Sequence, residues 1–194
     1  SRLLPIWLRV FDRLDIEPSF VLAVRNPLEV AASLKKAEGI DESKGMLLWL
    51  QYFLAAEFRT RREVRCFVSY DDLLSDWRAV ADHMTSTLQL VFPRRGRRAE
   101  AEIDSFLTSG LRHQASENDA VFARHDVSDW VKQAYAWANQ AVSGCEEKAG
   151  RLDRIRRAFD LAEGVYGPII SGVELSKAQA DRRAQILEAE AIDL

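Results

Sequence analysis

Apolar positions along this chain change period, and the changes mark its elements. Leu4, Leu8, Phe11 and Leu14 share one face of a helical repeat, so Leu3 to Leu14 reads as an amphipathic helix. Asp15-Ile16-Glu17-Pro18 ends it. Ser19 to Val24 is a continuous apolar run with a β-branched bias, the pattern of a strand covered on both faces in a parallel sheet. Arg25-Asn26-Pro27 closes the strand. Asn26 suits an N-cap and Pro27 the first helical position. A helix is expected from there to about Lys36, with Gly39 breaking it. Asp41 or Ser43 then caps a long helix through Met46, Leu50 and Leu54 to Phe58, with a basic end at Arg59, Arg61, Arg62 and Arg65. Arg65 to Tyr70 reads as a second strand. Asp71 and Asp72 are expected to cap a helical stretch from Leu73 to Leu90.

Periodicity weakens in the second half. Pro93 to Arg98 is a basic loop, Ala99 to Leu107 a short helix, and Thr108 to Asp126 a polar loop. Ser128 to Val142 and Leu152 to Tyr166 are helical. Gly167-Pro168 should end the latter, and Glu174 to Ala191 reads as an exposed helix or loosely packed tail. Helices and strands alternate in the first half, so the fold class is α/β with a parallel sheet.

Composition narrows this picture only a little. The 194 residues, 47% apolar and 29% charged, suit one globular domain, or one with a tail. A net charge of −3 argues against a nucleic-acid binder. Cys66 sits in an apolar run and reads as a buried thiol; neither it nor Cys145 has a partner at disulfide-framework or metal spacing. The expectation is therefore a cytoplasmic chain with no metal and no membrane span, since no apolar run approaches roughly 18 residues. The chain opens at Ser1 inside a helical pattern, which suggests a preceding segment.

The candidate chemistry lies at the end of the first strand. In open α/β sheets ligands bind where strands end and helices begin. Arg25 stands at that end, the following helix aims its N-terminus at the same region, and Ser33 lies about two turns into the helix. A guanidinium donates two parallel hydrogen bonds to a phosphate, and a serine adds a hydroxyl. The bland reading is a surface arginine and an incidental serine. His83 in a helix and His125 in a loop read as incidental too. The basic clusters Arg59–Arg65 and Arg94–Arg98 read as solvated surfaces, with nucleotide steering or an acidic sugar polymer as the functional alternative. The five tryptophans read as packing residues.

Arg25-Asn26-Pro27 with Ser33, inside VLAVRNPLEVAASL, resembles the 3′-phosphate-binding segment of sulfotransferases, most nearly the bacterial ones. The likeness continues through Leu48-Trp49, then Val68-Ser69-Tyr70-Asp71-Asp72-Leu73-Leu74, Phe106-Leu107 and Leu111-Arg112-His113, covering Leu3 to His113. The resemblance implies a P-loop nucleotide-hydrolase-like sheet flanked by helices. It implies the co-substrate 3′-phosphoadenosine 5′-phosphosulfate (PAPS), with Arg25 and Ser33 as 3′-phosphate ligands. Arg112, and less directly His113, would be late basic contacts, while Tyr70 and Asp71 would order their loop. Residues 1–145 would form a partial sulfotransferase domain, and 146–194 a helical C-terminal extension. Some members are joined to glycosyltransferase modules, which makes such a module a candidate partner and a carbohydrate a candidate acceptor.

The family also needs a Gly/Arg-Ser-Gly-Thr-Ser loop whose backbone cradles the 5′-phosphosulfate. It is absent from this sequence, as are the upstream strand and an assignable catalytic base. The first reading is thus a sulfotransferase fragment keeping the 3′-phosphate half of the site. A non-catalytic module binding a partner or carbohydrate is the second. A nucleoside or sugar kinase relative using ATP and Mg²⁺ is the third.

Overall fold

A computed structural model describes residues 3–94, 96–107 and 119–192. The first long run of local signals folds as its residues dictate. Helix α1 (Leu4–Arg13) carries proline in its first turn and leads to strand β1 (Ser19–Val24). Asn26 caps α2 (Pro27–Glu38), its side-chain oxygen accepting the Leu28 N–H at 2.9 Å. Gly39 ends α2 in the left-handed conformation at φ 68°, which glycine adopts without Cβ strain. Of the two candidate caps for α3 (Glu42–Thr60), Asp41 is the one used; it accepts the Ser43 N–H. Strand β2 (Val64–Ser69) then pairs with β1 in parallel, from Ser19 against Val64 to Val24 against Ser69.

Several local expectations are corrected after β2. Ser69, not Asp71 or Asp72, caps α4 (Tyr70–Ser75), because its hydroxyl stands one turn earlier and accepts the N–H groups of both aspartates. The two carboxylates stay in the first turn, where they favour the positive helix end. The expected continuous helix is broken at Asp76, which leaves helical geometry (φ −150°) and caps α5 (Trp77–Leu88) by accepting the Ala79 N–H. Helix α5 stops at Gln89, which is left-handed at φ 52°. Helix α6 (Arg97–Phe106) starts within the expected basic loop, and a four-residue α7 (Ala120–Ala123) lies within the expected polar loop. Ser128, expected as the first helical residue, instead caps α8 (Asp129–Val142), its hydroxyl accepting the Val131 N–H.

Leu22 pairs with Phe67 and Val21 with Cys66, so the two faces of the sheet carry different residues. Phe67 faces Trp137 of α8, with ring centroids 5.6 Å apart and edge-on. Cys66 and Val68 pack on Val80 and Leu88 of α5. Helices therefore cover β2 on both faces, the arrangement expected of an α/β layer. β1 is less covered: Val21 is 46% exposed beside a groove of about 550 Å³ that Leu34 of α2 and Tyr52 of α3 also line. Among the described residues the sheet has two strands and the architecture is helix-rich α/β. No described helix is long and apolar enough to cross a membrane.

The chain divides into two compact units, residues 1–152 and 153–194. The second consists of most of α9 (Gly150–Ile192), which runs through Pro168 without the expected break. Gly167 has no Cβ to clash with the proline ring, which leaves the missing N–H and the crowding of the carbonyl four residues back as the costs of Pro168.

Candidate functional site

Arg25 lies at the carboxyl end of β1, where backbone and side chain are held separately. Its carbonyl accepts the Trp49 Nε1–H at 3.1 Å, tying the strand end to α3. Its Nε donates to Glu29 Oε2 at 3.1 Å, and its guanidinium carbon lies 4.4 Å from the centre of the Tyr70 ring. The guanidinium is thus pinned between a carboxylate on α2 and an aromatic ring on α4. The ring adds a cation–π attraction and fixes the plane of the fork. The side chain of Glu29 is fully buried, while that of Arg25 keeps 25% exposure, so the fork stays within reach of a ligand. Its Nη groups make no hydrogen bond to a described residue.

Ser33 is exposed on α2, four residues beyond Glu29. Residues four apart share a helix face at about 5–6 Å between Cβ atoms. Glu29 thus bonds Arg25, and Ser33 stands one turn further along the same helix. Tyr70, which the resemblance makes a loop-ordering residue, lies against the Arg25 guanidinium. Arg112 and His113 lie outside the described residues.

Sequence reasoning missed Glu29 and the Trp49 bond. The signal for Glu29 was present, since Arg25 and Glu29 have the i,i+4 spacing of an ion pair. Trp49 carried no such signal, because its partner is 24 positions away. The basic cluster at the end of α3 is corrected in part: Arg59 and Arg62 are exposed as expected, while Arg61 and Arg65 are drawn into pairing. Arg61 and Arg65 both pair with Glu57, whose side chain is buried, and Arg65 is itself only 5% exposed. Burial lowers the Arg65 pKa, and the Glu57 carboxylate opposes that shift. These arginines are structural because a buried carboxylate needs its charge and lone pairs matched.

Of the two incidental histidines, His125 is exposed in a loop. His83 is exposed on α5 and lines a cleft of about 280 Å³ with Ser69, Asp72 and Asp76. No metal-holding group of His, Cys, Asp and Glu occurs among the described residues. Comparison of the chain with protein-family models, curated proteins and solved structures found no match.

Proposed function

We propose that this chain is the 3′-phosphate-binding part of a PAPS-dependent sulfotransferase with a P-loop nucleotide-hydrolase-like fold. The intact enzyme would move a sulfuryl group to a hydroxyl or amine acceptor. The observation that carries the reading is the pinned, partly exposed guanidinium of Arg25 at the carboxyl end of a parallel strand, with Ser33 on the adjoining helix face. A fork held by Glu29 and Tyr70 loses less rotamer freedom on meeting a phosphate than a free side chain does. The residues present fit one phosphate group. The sulfuryl chemistry belongs to the 5′ end of the co-substrate, and no residue is assigned to it.

Calorimetric titration with adenosine 3′,5′-bisphosphate, against adenosine 5′-monophosphate, tests the reading. The bisphosphate should bind at least about tenfold more tightly, as charge-assisted contacts to one phosphate allow. Arg25→Ala should erase that preference. Arg25→Lys leaves a cation for Glu29 but removes the fork, so it should also lose the preference while staying folded. Equal binding of both nucleotides, or a preference that survives Arg25→Lys, defeats the assignment. The open groove at β1 favours a second reading, a non-catalytic module that binds a partner. A folded chain that ignores both nucleotides would move the weight there.

A further inference from the structure

The facing sides of α5 and α6 do not close on each other. Val80 and Met84 of α5, and Ala99 and Ile103 of α6, line a cavity of about 390 Å³ between the helices. Packed helices normally interdigitate with axes about 8–10 Å apart. Here a polar clamp at one edge holds the pair. Arg78 of α5 donates to both carboxylate oxygens of Asp104, at 2.8 and 2.7 Å, and Trp77 Nε1 donates to Asp104 at 2.8 Å. The volume lies in the usual range of small-molecule sites, about 300–1,000 Å³. Water in so apolar a lining finds few hydrogen-bond partners.

Arg94 and Glu100 are the charged residues lining the cavity, and Arg94 also lines an adjoining depression with Arg97 and Arg98. The acidic groups nearby are engaged: Glu100 with Arg78 at 3.7 Å, Glu102 with Arg98 at 3.0 Å, and Asp104 with Arg78. Arg94 and Arg97 have no ion pair among the described residues. An apolar chamber beside two arginines that have no ion pair among the described residues matches a ligand with an apolar body and an anionic end.

We propose that this cavity binds a free, single-chain anionic amphiphile, its alkyl chain between α5 and α6 and its carboxylate at Arg94 and Arg97. The inference does not rest on the nucleotide site. It is tested with the whole chain, titrated with dodecanoate and with dodecyltrimethylammonium, each below its micelle concentration. Binding is read by calorimetry and by the methyl resonances of Val80, Met84 and Ile103. Dodecanoate should saturate one site, with the cation bound at least about tenfold more weakly. Ile103→Trp fills the cavity and should abolish binding; Ala99→Leu is the milder filling if that variant fails to fold. Arg94→Glu with Arg97→Glu should reverse the charge preference. The proposal is overturned if the folded chain shows no saturable binding, if both fillings leave binding intact, or if cation and anion bind equally. Co-sedimentation with phosphatidylglycerol vesicles, without binding of monomeric dodecanoate, overturns it in favour of a membrane surface.

Discussion

At the scale of single residues, electrostatic pairing sets what each charge can do. Arg25 illustrates this: one donor anchors on Glu29, and the side chain keeps a quarter of its surface exposed. Asp104 shows the same logic with a measurable pH signature. The Arg78 hydrogen bond, helped by Trp77, pulls its pKa from the ordinary 3.8 down to about 2. The folded value lies below the unfolded one, so the clamp's contribution is complete above about pH 4 and fades as pH falls through about 2. Carbon-13 carboxyl titration should place the Asp104 midpoint near 2. Arg78→Ala should raise it towards the ordinary aspartate value of about 3.9, short of it by what the Trp77 hydrogen bond still holds. A midpoint near 4 in the unaltered chain would mean that the clamp is not formed in solution.

At the scale of elements, contacts between helices matter more than caps. Helix α2 approaches α3 closely at Gly45. A Cβ added there would meet Ala31 Cα at 2.8 Å and its Cβ at 3.0 Å. Gly45→Ala should thus separate the helices, at a steric cost of about 1–3 kcal/mol. Better helix propensity returns about 1 kcal/mol of this. The net expectation is a lower urea midpoint. Gly164→Ala in α9 is the matched control, since its added Cβ meets nothing within 4 Å. That change should stabilise α9 by up to about 1 kcal/mol. If Gly45→Ala behaved like the control, the close approach of α2 and α3 would be wrong.

At the scale of the first unit, the core is organised around α8. Trp137 is 1% exposed, meets Phe53 of α3 and Phe67 of β2 edge-on, and donates its Nε1–H to the Glu147 carbonyl at 3.2 Å. One side chain thus joins α8 and α3 to the sheet. Trp137→Ala should cost about 3–5 kcal/mol, a large share of the stability of a typical domain. The measurement is a thermal melt followed by near-ultraviolet circular dichroism. A loss below about 1 kcal/mol would show that this cluster is peripheral.

What the sequence determined by itself was whatever depends on neighbours along the chain. The Ser19–Val24 run, the Asn26-Pro27 start and the Gly39 stop needed only backbone preference and short-range hydrogen bonding, and they fell where the pattern put them. The same reasoning slipped where several polar residues compete, as at Ser69, Asp71 and Asp72, or where Gly167 softens Pro168. The sequence placed Arg25 after a strand end and Ser33 on the following helix, and that is where they lie. Only the tertiary structure brought Tyr70 beneath Arg25 and the Trp49 indole onto its carbonyl, since those partners come from separate elements. It likewise decided that Arg65 is buried and that α5 and α6 stand apart over a cavity. Periodicity shows which face of a helix is apolar. Whether a second apolar face closes on it is set by packing and charge pairing between distant segments, which no local pattern encodes.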